Sequence, residues 1–157
     1  MNLEIERKFL VKGGFKQFAV KSYRIAQGYL CKNGQNTVRI RIRDKEGFIT
    51  IKGPCTDCGI TRFEWEKSIP LEDAVQLLSL SVTPVIDKVR YIVPFEGHNW
   101  EVDEFHGANE GLIVAEIELG SADEPFEMPG WAAEEVTSDK RYTNLQLSLH
   151  PYKEFMK

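Results

Sequence analysis

Along most of the chain, hydrophobic and polar residues alternate one by one. A period of two places successive side chains on opposite faces of a strand. The alternation predicts strands over 1–12, 22–32, 36–45, 48–53, 60–69, 84–94, 98–106 and 111–120. Turn residues punctuate them: Asn33-Gly34 after the second, Glu46-Gly47 before the fourth, and Glu96-Gly97 between the sixth and seventh. A Gly/Pro/Cys loop over 53–59 separates the fourth from the fifth. One segment breaks the period. In 70–80, PLEDAVQLLSL, a proline leads, acids fill the first turn and apolar residues recur at helical spacing, which predicts a helix. The tail is mixed, with a loop at SADEPFEMPGW, a short helix over 130–137 and a helical turn or two over 139–149. About eight strands and a few helices make a mainly β, α+β fold. Closing the strands into a barrel would remove the exposed sheet edges.

Sorting each strand by face changes the picture. Glu4, Glu6 and Lys8 share one face of the first strand. Arg39, Arg41 and Arg43 share a face opposite Val38, Ile40 and Ile42, an apolar side left for helices or a second copy to cover. Glu64 and Glu66 oppose Phe63 and Trp65; Lys88 and Arg90 oppose Val89 and Tyr91; Glu101 and Asp103 oppose Trp100 and Val102; Glu116 and Glu118 oppose Ala115, Ile117 and Leu119. Lys52 continues the theme with Thr50 beside it. A wet face on an antiparallel sheet gives such a pattern with no further function. An ordinary soluble face, however, interleaves signs. Here the charge segregates by strand, and Glu-x-Glu repeats. An acidic wall beside a basic wall suits a polyanion carried with a divalent metal: carboxylates take Mg²⁺ or Mn²⁺, and Arg and Lys hold phosphates. A bound cation makes the adjacent Glu4 and Glu6 tolerable, and Lys8 reaches the anion that cation carries.

Length and composition narrow the class. The 157 residues suit one domain, 1–157, with a core that needs no disulfide or metal. No apolar run approaches the ~20 residues of a membrane span, and the N-terminus lacks a secretory h-region, so the expected compartment is the cytoplasm. Three cysteines form no disulfide framework, and the single Cys55–Cys58 pair cannot close a zinc site. A net charge of −4 argues against a nucleic-acid-coating surface. Oligomeric state, a homodimer included, stays open.

EIERKFL at the N-terminus resembles the ExExK signature of the CYTH superfamily, the triphosphate tunnel metalloenzymes. The likeness continues in order through VRIRI (38–42), TIKG (50–53), FEWE (63–66), DKVRY (87–91), WEVDEFHG (100–107), VAEIEL (114–119) and EVTSDKRYTN (135–144). It implies an eight-stranded antiparallel β-barrel tunnel with a hydrophilic interior, a few flanking helices and a C-terminal helix near the tunnel mouth. By the same resemblance, Glu4, Glu6, Glu116 and Glu118 bind the metal, Mg²⁺ or Mn²⁺. Lys8, Arg39, Arg41, Lys52, Lys88 and Arg90 hold the triphosphate. Glu64, Glu66 and Asp103 are further tunnel acids that position a second metal or the water. Lys140 and Arg141 fall in the motif near the plug-like helix, and Tyr29 resembles a tyrosine of members that favour short chains. Arg43 matches no role.

The resemblance implies metal-dependent hydrolysis of a small-molecule triphosphate, foremost inorganic tripolyphosphate to diphosphate and phosphate. Three enzymatic alternatives share the site: class IV-type adenylate cyclase, thiamine triphosphatase and nucleoside triphosphatase. The first would need a nucleoside pocket, and no Gly-rich phosphate loop is present. Trp65, Trp100 and Trp131 could stack a thiamine ring, but outer-face packing explains them as well. A non-catalytic polyphosphate-binding module would not need so many carboxylates. A sheet-mediated interaction domain would leave the charge segregation without cause.

Overall fold

The structure, a computed structural model, describes residues 3–31 and 36–156. The predicted Asn33-Gly34 turn lies outside them. The strands are β1 (Leu3–Val11), β2 (Lys21–Cys31), β3 (Thr37–Arg43), β4 (Glu46–Thr56), β5 (Thr61–Ile69), β6 (Ile86–Phe95), β7 (His98–Phe105), β8 (Ile113–Glu118) and β9 (Ala132–Glu135), with helices α1 (Leu71–Leu78) and α2 (Asn144–Leu149). The sheet runs β5-β4-β3-β2-β6-β7-β8-β1-β9, and a further β5–β1 pairing closes it into an eight-stranded antiparallel barrel. Closure leaves the barrel strands no free edge. One side of β1 pairs with β8 over residues 6–10; the other is shared, its start taken by β5 and its end by β9.

Three local expectations change. The 130–137 segment is not a helix: its centre is β9, which completes the edge of β1 that β5 leaves, with Phe9 opposite Glu135. The β3–β4 turn is Asp44-Lys45 rather than Glu46-Gly47. Arg43 pairs with Glu46 across it, and Asp44 takes the left-handed conformation at φ 54°. Gly47 lies inside β4, where a Cβ would come within 2.6 Å of the Ala74 Cβ on α1. Glycine here admits the helix to the sheet. The Glu96-Gly97 hairpin forms as expected, both residues at positive φ (45° and 84°), as a type I′ turn requires. The 53–59 loop is partly strand, since β4 runs on to Thr56 past a shift of register after Lys52.

The alternation is inverted relative to a globular barrel, because the polar faces point inward and the apolar faces outward. The main core therefore sits outside the barrel wall. Phe9, Trp100, Val102, Ala115 and Ile117 on the outer face pack with Phe15, Leu119 and Trp131 from flanking segments. Trp100 and Trp131 are thus packing residues, and Trp65 stays half-exposed on the outer face of β5. The helix α1 lies over β2, β3 and β4 and leaves Ile40 and Ala74 fully buried. A second cluster closes one end of the barrel, where Ile86, Phe105 and Val114 meet Val136, Tyr142 and Leu147 of the C-terminal segment.

Candidate active site

The strand order sorts the inward charges into two arcs. Going round the barrel, β7, β8, β1 and β5 are consecutive and carry Glu101, Asp103, Glu116, Glu118, Glu4, Glu6, Glu64 and Glu66. Of the remaining consecutive strands, β4, β3 and β6 carry Lys52, Arg39, Arg41, Lys88 and Arg90, and β2 between them lines the wall with Tyr23, Ile25, Gln27 and Tyr29. Two cations break the division: Lys8 lies on β1 opposite Glu116, and Arg62 lies on β5 opposite Glu4, its Nε donating to the Gly53 carbonyl.

At the two seams, opposite charges neutralise one another. At one, Lys52 Nζ reaches Glu4 Oε1 at 2.8 Å and Glu64 Oε2 at 3.4 Å. At the other, Arg90 grips Asp103 with its fork at 2.8 and 2.9 Å, and Lys88 Nζ lies 2.7 Å from the same carboxylate. Arg90 also touches Glu101 at 3.3 Å. Lys88 and Asp103 are each 1 % exposed, so this is a buried ionic cluster. Burial opposes the charge of Asp103, but Arg90 and Lys88 prevail and hold its carboxyl at about 2. Burial, offset by Asp103 and reinforced by Arg90 and Arg41, lowers Lys88 to about 7.

Between the seams contacts of opposite sign thin out, with Arg39 and Glu66 the pair that remains among the described residues. On the basic wall, Arg39 donates to Thr50 at 3.1 Å and lies 3.4 Å from Glu66, which also accepts from the Thr50 hydroxyl at 2.7 Å. Its Nε is buried without a hydrogen-bond partner among the described residues. Arg41 donates to Gln27 at 2.9 Å, and burial with the repulsion of Arg39 and Arg90 lowers it to about 9. On the acidic wall, Glu6 is pushed well above the usual carboxylate range by burial, Glu116 and Glu4. Glu116 goes the other way: burial is outweighed by Lys8, a hydrogen bond with Glu6, Arg90 and Lys88. The two carboxyls are thus pushed in opposite directions by each other and by the cations around them. Glu4 and Glu64 are a second such pair: burial of Glu4 is overcome by Lys52, which holds it at about 2, while burial and Glu4 raise Glu64 to about 7. Burial, Glu4 and Glu101 also raise Glu118, which stays exposed.

Among the described residues, no three carboxylate, imidazole or thiolate groups form a ready-made metal cage. The acids meet in pairs. Carboxylates crowded together in pairs fit a hard cation, and Mg²⁺ needs only one or two of them, its remaining positions open to water and phosphate. The orphaned Arg39 donor and the crowded guanidinium of Arg41 fit an anion.

The structure thus brings Glu4, Glu6, Lys8, Arg39, Arg41, Lys52, Glu64, Glu66, Lys88, Arg90, Asp103, Glu116 and Glu118 to the barrel interior, with Tyr29 buried opposite Arg39. It does not bring Lys140 and Arg141 there. Both are exposed, and Arg141 is held by Asp139 at 2.7 Å and lies over the Tyr142 and Phe155 rings. Asn144, the first residue of α2, enters instead: its Oδ1 accepts from Lys88 Nζ at 2.9 Å and from Gln27 Nε2 at 3.1 Å. The sequence reading missed Gln27 and Asn144. Gln27 carried a faint signal, a polar residue in step with Tyr29; Asn144 closes the EVTSDKRYTN motif, whose basic residues Lys140 and Arg141 drew the assignment instead.

Comparison with known proteins agrees with this geometry. The CYTH domain profile matches residues 2–148. An inorganic triphosphatase of Acetivibrio thermocellus is 45% identical over 156 residues, covering 99% of each chain. One of Nitrosomonas europaea is 34% identical over 151 residues, 93% of this chain and 97% of its own. The crystal structure of an inorganic triphosphatase superposes with a TM-score of 0.69 at 33% identity, covering 95% of this chain and 96% of that one.

Proposed function

Because the chain belongs to the CYTH domain family, we propose that it hydrolyses inorganic tripolyphosphate to diphosphate and phosphate inside the barrel, with Mg²⁺ or Mn²⁺. The observation that carries the proposal is the division of the interior into a basic wall and an acidic wall that face each other, paired at their seams and through Arg39–Glu66 but leaving Arg41, Glu6 and Glu116 without an ion-pair partner among the described residues. A triphosphate alone would satisfy the basic wall and offend the acidic one; a triphosphate with a divalent cation satisfies both. The relatives named inorganic triphosphatase support the choice of substrate.

Glu4, Glu6, Glu116 and Glu118 would hold the cation; when bound, it neutralises phosphate oxygens and lowers the pKa of a coordinated water. Arg39 and Arg41 bind the phosphate chain, Arg39 with its spare donor. Lys8, Lys52, Lys88 and Arg90 spread the remaining charge. Asp103 and Glu66 act as positioning residues, because the first is engaged by Arg90 and Lys88 and the second by Thr50 and Arg39. Asn144 and Gln27 fix the Lys88 ammonium and the Arg41 guanidinium at the plugged end. Water adds in line to the terminal phosphorus as the bridging P–O bond to diphosphate breaks, and a tunnel carboxylate takes the proton. Preorganised cations make this mainly an electrostatic catalysis.

Among the described residues no helix is long and apolar enough to cross a membrane. Cys31, Cys55 and Cys58 are free, which suits the reducing cytoplasm we propose as its compartment. Phosphate release from tripolyphosphate, ATP and thiamine triphosphate, each with Mg²⁺, Mn²⁺ or EDTA, tests the proposal. Metal-dependent release from tripolyphosphate well above the others is expected. Tight binding without release would replace the enzyme by a polyphosphate-binding module.

A further inference from the structure

Arg43 is the third inward arginine of β3, and the site described so far does not use it. Its guanidinium is sandwiched between two rings, with its centre 4.9 Å from the ring centroids of both Tyr23 and Phe48. Those rings fix its plane. Its one hydrogen bond among the described residues is a 3.2 Å contact from Nη2 to Glu46, a carboxylate that is itself 65% exposed. Its Nε has no hydrogen-bond partner there. Hairpin closure alone explains this poorly. A solvent-exposed pair across a turn is weak, and it does not account for two aromatic side chains spent on holding one guanidinium.

Position supplies the rest. Along β2, Gln27 meets Asn144 at the plugged end, while Tyr23 lies further from α2, opposite Arg90 in register. Arg43 ends β3 at the β3–β4 hairpin, about 7 Å beyond Arg41 along the strand. Its side chain is 36% exposed, whereas that of Arg39 is 8% exposed. The basic track therefore continues from the buried Arg39 and the half-buried Arg41 to a rigid, solvent-reached guanidinium at the open mouth.

We infer that Arg43, clamped by Tyr23 and Phe48, is a subsite for the fourth phosphate of a linear polyphosphate whose inner three phosphates lie against Arg39 and Arg41. The inference rests on the proposal that a phosphate chain occupies the barrel. It makes Arg43 a determinant of chain-length preference. A triphosphate ends before the mouth; a longer chain protrudes and meets a planar donor fork matched to a phosphate.

The test is the ratio of kcat/KM for tetrapolyphosphate to kcat/KM for tripolyphosphate, measured on one preparation of each protein. Taken that way, the ratio does not depend on the fraction of folded enzyme. Arg43→Gln is expected to lower it about tenfold, the loss of one charge-assisted contact. Arg43→Lys, a point charge without the fork, should restore part of it. A ratio unchanged in Arg43→Gln overturns the inference, since a hairpin clamp would affect both chains alike. If the parent protein turns over neither chain, the triphosphatase proposal fails. The ratio of dissociation constants of the two chains, read by calorimetry on the full-length protein in EDTA, then decides the Arg43 subsite separately: a ratio shifted by Arg43→Gln supports it and an unshifted one overturns it.

Discussion

Glu6, partly buried, and Glu116, buried, lie on adjacent strands, and burial, Glu116 and Glu4 all raise the Glu6 carboxyl. A carboxyl raised in the folded state costs stability above its unfolded pKa, and the cost disappears on protonation. Glu6→Gln mimics the protonated form. The metal-free variant is expected to melt a few degrees above the parent at neutral pH, about 2–4 °C for each kcal/mol at this size, while turnover falls at least about a hundredfold. Parental turnover in this variant would remove Glu6 from the metal set. Asp103 has the opposite sign. Despite its burial, Arg90 and Lys88 hold it at about 2, below its ordinary 3.8. Its contribution is complete above the unfolded value and is lost as pH falls through the folded one. Asp103→Asn should cost roughly 3–5 kcal/mol at neutral pH, because it leaves Arg90 and Lys88 buried with too little negative charge. It should also flatten the loss of stability between 3.8 and about 2. Urea unfolding of both proteins across that range measures the two effects, and a neutral substitution would contradict the buried cluster.

At the scale of elements, glycine and asparagine act where a reading by periodicity looks past them. Turn chemistry favours Glu46-Gly47 as the hairpin, yet Asp44 takes the positive φ and Gly47 is kept for the approach of α1. A valine at 47 would collide with Ala74 and push the helix off β4. Gly47→Val is expected to cost about 1–3 kcal/mol by overpacking, read as a lowered denaturation midpoint with little change in the activity of the protein that remains folded. A stable variant would show that α1 is free to shift. The short helix α2 acts through its first residue, Asn144, which holds Lys88 and Gln27 from the plugged end. Asn144→Ala should lower kcat/KM for tripolyphosphate about tenfold through misplacement of Lys88, at unchanged metal affinity. Loss of metal binding would mean that α2 supports the acidic wall instead.

For the whole molecule, the deciding property is an order of strands that no single strand carries. Period-two alternation marks Arg39 and Arg41, Glu64 and Glu66, and Glu116 and Glu118 as sharing faces, because strand geometry fixes which side chains go together. Those faces prove to be the inside, and each of the strands recognised this way is present. What the sequence does not show is adjacency. The β2–β6 pairing and the closure of β1 onto both β5 and β8 bring acids from four strands into one arc and cations from β3, β4 and β6 into the opposing arc. Such contacts span most of the chain and leave no local periodicity. The same reason hides Gln27 and Asn144, whose roles exist only once β2 and α2 meet, and it lets Lys140 and Arg141 look like site residues although they lie outside. β9 was masked differently: four residues that complete an edge are too short for a period to show.

The central claim is that two opposed walls hold a metal-carried triphosphate for hydrolysis. Phosphate release from tripolyphosphate, followed with Mg²⁺ or Mn²⁺, with EDTA, and in Arg39→Ala beside Glu6→Gln, tests it most directly. The account predicts rapid release that EDTA and Glu6→Gln abolish, and that Arg39→Ala lowers without abolishing because neighbouring cations share the load. Release that persists in EDTA, or survives Glu6→Gln, would contradict it.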